Sequence, residues 1–274
     1  MSNPLQNYFR QPKIYLKLPS LGKYNDPSSI TGNIENMPIY GMTGMDQIII
    51  KTPDALLSGE STVKIIQSCC PNILNAWDIT NLDINSLLVA IRIATFGNVM
   101  NIMTTCNHCN TESNYDADIS QFLQHFSSGK FDPNVVVDDL VVKLKPLSYK
   151  QATALGLENF TLQKQLFQSQ DIEDDKQRQE IVSRIYEEFA VLQNKSLVAS
   201  IDYVETPSSV VSEYGYIKEW IDNCDDSGIK KIKEKLDSNS MLWKAPSLSV
   251  KCVECGAVNE VEIEMDNASF FANA

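Results

Sequence analysis

Residues 106–120 read CNHCNTESNYDADIS, and residues 252–266 read CVECGAVNEVEIEMD. Laid over one another at an offset of 146, Cys106 and Cys109 meet Cys252 and Cys255, Asn110 meets Gly256, Tyr115 meets Val261, Asp116 meets Glu262 and Asp118 meets Glu264. Two residues between cysteines let both thiolates of a tight turn face one ion, while the intervening amides hydrogen-bond to the sulfurs. Asn and Gly are the residues that best tolerate the left-handed turn by which a chain leaves such a knuckle. One pair alone would be weak evidence. Two pairs supply the four soft ligands that a closed tetrahedral zinc site takes. The repeat therefore predicts a split four-cysteine zinc ribbon, with Cys106, Cys109, Cys252 and Cys255 as ligands of a structural Zn2+ and a long insertion between its halves.

Rival readings of the same cysteines make different demands. A thioredoxin-like redox CxxC follows a strand and begins a helix, and neither pair sits in such a pattern. Disulfides within each pair would close very short loops. A catalytic zinc keeps a position open for water and usually includes His or a carboxylate. His108 could replace one cysteine, but four thiolates already fill the shell.

Outward from the knuckles, the chain is punctuated clearly. Before the first pair, residues 43–97 read as helical. Thr52-Pro53-Asp54 looks like a helix start and Ser58-Gly59 a stop; a second helix runs from about Ser61 to Cys69 and is ended by Pro71. A third, from about Ile84 to Thr95, is uncharged but for Arg92, which marks a helix central to a core. Cys69 and Cys70 read as small buried hydrophobes. After the first pair, VVVDDLVVKLK predicts a hairpin turning at Asp138-Asp139. Ser148-Tyr149-Lys150-Gln151 fits a capping box that opens a long helix or helical hairpin, broken near SQDIEDD, whose second half carries the stripe Ile181, Ile185, Phe189 and Leu192. A strand near 201–204 and helices near 212–223 and 228–238 lead to the second pair.

The fold expected is α+β: an extended arm over 1–40, a helical unit over 41–98, the split ribbon over 99–147 and 245–274, and a helical insertion over 148–244. The arm is distinctive, because residues 1–25 hold Arg10, Lys13, Lys17 and Lys23 and no acid, interleaved with Tyr8, Phe9, Tyr15 and Tyr24. Aromatics and Arg are enriched at interfaces, so the arm is expected to dock on another surface.

Composition narrows the function. The chain has 274 residues and a formal charge of −12, the wrong sign for a protein whose main partner is nucleic acid. Seven cysteines without a secretion signal point to a reducing compartment. The opening MSNPLQNYFRQPK has no apolar core of signal-peptide kind, and no uncharged apolar run is long enough for a membrane span. With only His108 and His125 there is little scope for a histidine base, and no phosphate-binding or metalloprotease motif occurs. The acidic clusters fall in turns and helix starts, where carboxylates complement exposed amides. No enzyme is expected, and no catalytic or cofactor-binding residue other than the four cysteines is named.

Four further strings carry a resemblance: YLKLPSLGKY (15–24), YGMTGMDQIIIKTPDALLSGESTVKIIQSCCPNI (40–73), LLVAIRIATFG (87–97) and KPLSYKQ (145–151). Together they resemble the baseplate hub assembly family of T-even-like contractile-tailed bacteriophages, most clearly over residues 8–120. The resemblance implies a non-enzymatic protein that helps build the central hub of the tail baseplate. Leu16 to Tyr24 would be a docking arm and Thr52 to Leu57 a fold-defining helix start. Its partners would be other hub or tail proteins and further copies of itself, in the host cytoplasm during assembly or in the virion tail. The alternative is a zinc-ribbon regulator that binds nucleic acid, and the acid beside both cysteine pairs, Asp116, Asp118, Glu254, Glu260, Glu262 and Glu264, speaks against it.

Overall fold

The computed structural model describes residues 3–51, 58–263, 265, 270 and 271. It is an α+β protein of two compact units, Met1–Lys130 with Met241–Ala274, and Phe131–Ser240. The helix start at Thr52-Pro53-Asp54 lies outside the described residues, as does Glu264.

The first unit is organised around one helix. Strands β1 (Pro12–Leu16) and β2 (Met37–Tyr40) pair antiparallel, with Ile14 opposite Ile39 and Leu16 opposite Met37. Helices α1 (Gly44–Ile50), α2 (Glu60–Cys69) and α3 (Asn81–Phe96) follow. Thr43 and Asp46 cap α1 reciprocally, a signal that the sequence reading passed over. Residues on every side of α3 are buried, among them Leu82, Leu87, Val89, Ile91 and Ala94, as expected of a helix apolar all round. Arg92 is only 1% exposed; its guanidinium lies 5.4 Å from the ring centre of Phe96 and 5.5 Å from that of Phe270. Desolvation lowers its pKa, and the aromatic faces help to offset that cost. Cys69 and Cys70 are fully buried, and burial pushes their thiols up to about 12 and about 11, the behaviour of inert core residues.

The N-terminal segment is part of this core, which corrects the expectation of an extended arm. Leu16, Leu18, Ser20 and Asn25 are buried. Asp83, fully buried near the start of α3, accepts hydrogen bonds from Ser20 N at 2.9 Å, Ser20 Oγ at 2.5 Å and Asn25 Nδ2 at 2.6 Å. Asn25 Oδ1 in turn accepts from Thr80 N at 2.8 Å. A carboxylate deprived of water needs such donors, and the loop Ser20–Asn25 supplies them. Arg10 makes a second tie: Nη1 donates to Gly41 O at 2.7 Å, Nη2 donates to Ser68 O at 2.6 Å, and Asp46 lies 3.6 Å away. The segment therefore docks on its own α3, while Leu5, Tyr8, Phe9 and Tyr15 remain exposed, Tyr8 by 84%.

From α3 the chain enters a long hairpin of β3 (Val99–Thr105) and β4 (Glu112–Asp118), then α4 (Ser120–Ser128), whose Phe122 and Phe126 are buried. His125, on α4, donates from Nε2 to Met241 O at 3.1 Å, a structural role. The returning chain forms β9 (Leu248–Lys251) and β10 (Val258–Val261), a second antiparallel hairpin.

The second unit holds the four-stranded antiparallel sheet β5 (Asn134–Val137), β6 (Leu140–Leu144), β7 (Ile201–Glu205) and β8 (Val210–Val211), in that order. The turn is at Asp138-Asp139 as expected, with Asp138 at φ 51°. The β5–β6 hairpin, which the sequence groups with the ribbon, belongs here because β6 pairs on its other side with β7, Val142 opposite Val204. Its inward residues Val135, Val137, Val142 and Leu144 need the cover of Ile217, Ile221 and Ile232 from α7 (Tyr214–Asn223) and α8 (Asp226–Ser240). Between β6 and β7 stands a helical hairpin, α5 (Tyr149–Ser169) and α6 (Asp175–Ala199). Ser148 and Gln151 form the expected capping box, Asp174 caps α6 after the break, and Leu162, Ile185 and Leu192 form the seam.

Candidate metal centre

Each cysteine pair sits in the turn of a hairpin, and the two turns repeat one another in their backbone hydrogen bonds. Cys106 N donates to Thr111 O at 3.0 Å and Asn110 N to Cys106 O at 2.9 Å; Cys252 N donates to Ala257 O at 2.8 Å and Gly256 N to Cys252 O at 3.0 Å. Asn110 has φ 56° and Gly256 φ 73°, so the paired residues Asn and Gly both occupy the left-handed region. The flanking strands alternate as the repeat requires: Asp116, Asp118 and Glu260 face out, while Ala117 and Asn259 are buried.

The two knuckles bring their sulfurs together. Cys106 Sγ lies 3.7 Å from Cys255 Sγ, Cys109 Sγ lies 3.6 Å from Cys252 Sγ, and all four are within 4.8 Å of one another. A metal–sulfur distance of about 2.3 Å in a tetrahedron sets sulfurs about 3.8 Å apart. The cysteines are free, and disulfide bonding would need a separation of about 2.05 Å. The four residues therefore fit a single metal ion, each giving one sulfur. The first cysteine of each pair is buried and the second lies at the surface.

Backbone amides favour the thiolate form at Cys106 and Cys252. The amides of Cys109 and His108 lower the pKa of Cys106 to about 6, with help from the Asn259 carboxamide. Those of Cys255 and Glu254 lower that of Cys252. At Cys255 the Ala257 amide also lowers the pKa, but desolvation and the hydrogen bonds to Cys109, Cys106 and Cys252 outweigh it and push the thiol up to about 12. Four sulfurs so close cannot all ionise without a cation, and a bound metal ion removes that conflict.

His108 is exposed and stands outside the sulfur group; its part is the backbone N–H, 3.4 Å from Cys106 Sγ. Neither pair begins a helix, which removes the geometry of a thioredoxin-like site. Asn259 is a residue that sequence reasoning missed. It is buried on β10, its Oδ1 accepts from Asn107 N at 3.0 Å, and its Nδ2 lies 3.5 Å from Cys106 Sγ. The position aligns with Ser113 in the other half of the repeat, so the repeat itself gave no signal for it.

In the second unit, a groove of about 710 Å³ runs along α5 and α6, lined by Leu157, Thr161, Gln165, Glu187 and Val191 and bridged by an ion pair of Glu158 with Lys195 at 2.5 Å. Its charged residues, Glu158, Arg184, Glu187, Glu188 and Lys195, are exposed, with Arg184 3.8 Å from Glu188. No helix among the described residues is long and apolar enough to cross a membrane.

Among known proteins, the model of the family described as T4 bacteriophage base plate protein matches residues 11–272. No curated protein and no solved structure matches.

Proposed function

The chain belongs to the T4 bacteriophage base plate protein family, and from that membership we propose that it helps build the central hub of the tail baseplate by protein–protein contact. A structural Zn2+ held by Cys106, Cys109, Cys252 and Cys255 clamps its fold. The observation that carries the zinc reading is the pair of matching knuckles with sulfurs 3.6 and 3.7 Å apart across them. When bound, zinc would supply a redox-inert cross-link among four thiolates and offset half of their charge. The chain's own residues do the rest: the knuckle amides hold the sulfurs in place, and β3–β4 and β9–β10 carry the knuckles. The metal clamp joins segments far apart in sequence, so its binding free energy becomes folding free energy. With the ligand shell closed by four sulfurs, the site has no open position for a substrate.

Contact surfaces are supported by apolar side chains left in water. On the helical hairpin Leu157, Phe160, Phe167, Tyr186 and Val191 are exposed, and at the N-terminus Leu5, Tyr8 and Phe9. Such exposed apolar side chains suit burial against other baseplate proteins. Nucleic-acid binding has little support, because Glu112, Asp116, Asp118, Glu254, Glu260 and Glu262 are exposed around the knuckles.

Native mass spectrometry of the full chain mixed with purified tail-hub components tests the reading, alongside a DNA-binding titration at two salt concentrations. A defined complex with hub components and no salt-sensitive DNA binding is the expected outcome. Tight DNA binding that weakens steeply with salt, with no hub complex, would replace it with the regulator.

A further inference from the structure

The two knuckles are alike in backbone but not in their support. From β10, which continues from the CVEC knuckle, the buried side chain of Asn259 crosses to the other knuckle. Its Oδ1 accepts the backbone N–H of Asn107 at 3.0 Å. A backbone N–H can only donate, so the carboxamide oxygen must face it, and this turns the amide nitrogen toward Cys106 Sγ, 3.5 Å away. The same nitrogen lies 3.4 Å from Ala257 O, within its own hairpin. One side chain thus fixes three points: its own strand, the turn of the opposite knuckle, and a sulfur of that knuckle. Position 113, its counterpart in the repeat, holds a serine, too short to make the reciprocal crossing.

We infer that Asn259 is a positioning residue for the metal clamp: it docks the CVEC knuckle onto the CNHC knuckle before metal binds and orients Cys106 by donating to its sulfur. The inference rests on the metal reading given above. Its physical basis is that groups behind a ligand fix the ligand's orientation, and their loss typically costs about 10–100-fold in metal affinity. The strap also lowers the ordering cost of bringing together ligands far apart in the chain.

The two jobs separate by substitution. Asn259→Ala removes both contacts. Asn259→Asp keeps an oxygen for the Asn107 amide but sets a carboxylate, with no donor, beside the Cys106 sulfur. The full chain, stripped of metal, is titrated with Co2+ in competition with a chelator, reading the thiolate-to-cobalt absorption. Affinity should fall about 10–100-fold in Asn259→Ala and further in Asn259→Asp. In parallel, amide exchange of Asn107 in the metal-free chain should be slow in wild type, fast in Asn259→Ala and intermediate in Asn259→Asp. Equal Co2+ affinity in wild type and Asn259→Ala would overturn the inference while leaving the metal reading intact. Asn259→Asp binding as tightly as wild type would remove the sulfur contact from it. A wild-type chain that takes no Co2+ fails the metal reading instead, and slow Asn107 exchange in that chain would show the strap to be purely structural.

Discussion

Asn25→Ala tests whether the N-terminal segment is arm or core. The substitution deletes the donor to Asp83 Oδ2 at 2.6 Å and the acceptor of Thr80 N at 2.8 Å, and Asp83, Thr80 and Asn25 are all buried. An orphaned buried N–H costs about 1–3 kcal/mol, and a lost hydrogen bond to a charged group about 1.5–3 kcal/mol. Asp83 keeps both bonds from Ser20, so the sum should fall at about 3–5 kcal/mol rather than reach loss of the whole network. Domains are stable by about 5–15 kcal/mol, so the change is large. The assay is urea unfolding followed by hydrogen exchange of peptides covering α3, which reports on the first unit alone. Lys23→Ala is the control, since the Lys23 side chain makes a cation–π contact with Tyr24 at 5.1 Å whose loss should cost about 0.5–1 kcal/mol. If Asn25→Ala destabilises α3 no more than the control does, the segment is a loose arm and the buried network carries no weight. Deletion of residues 1–25, by the same reasoning, should unfold the first unit, since it also removes Leu16 and Leu18 from the core.

Phe270→Ala should destabilise the first unit by about 3–5 kcal/mol, as expected for a fully buried Phe, and calorimetry reads it directly; it also removes a ring that faces the buried Arg92. Leu157→Ser with Phe160→Ser should leave stability within about 0.5 kcal/mol, since both are exposed, while weakening capture of hub components in a native mass-spectrometric assay. Acid should strip the metal. In the metal-free chain the amides hold the Cys106 pKa near 6, below its unfolded value, so the stability it contributes is present above that unfolded value and is lost as pH falls through about 6. Cys255 behaves oppositely: with its pKa raised to about 12, its contribution is present below the ordinary thiol value and lost as pH rises through about 12. A pH series of unfolding midpoints for the metal-free chain, with Cys106→Ser and Cys255→Ser as references, checks both signs.

Local signals were legible in the sequence where one residue type fixes one geometry. The two CxxC knuckles, with Asn110 and Gly256 in the left-handed region, follow from the repeat alone. So do the turn at Asp138-Asp139, the capping box at Ser148 and Gln151, and the break before Asp174. The features that were not legible depend on contacts between distant positions. Ser20 and Asn25 look like loop residues, and nothing near them announces Asp83, which lies 58 positions beyond Asn25. The β5–β6 hairpin has the same strand chemistry whichever unit it joins, and only the pairing of Val142 with Val204 decides the matter. Arg92 stood out as the one charge between Ile84 and Thr95, but the Phe270 ring near it is remote in sequence. Asn259 breaks the repeat rather than following it, so the symmetry that revealed the four cysteines concealed the residue behind them.

The central claim is that the two knuckles close around one structural metal ion, and the metal content of the intact protein tests it most directly. Native mass spectrometry of the chain, purified without added metal and without chelator, should show one zinc per chain, and Cys252→Ser should lose it together with the exchange protection of β9 and β10. A fully folded chain that carries no metal, and whose β9–β10 protection is unchanged by Cys252→Ser, would contradict the account.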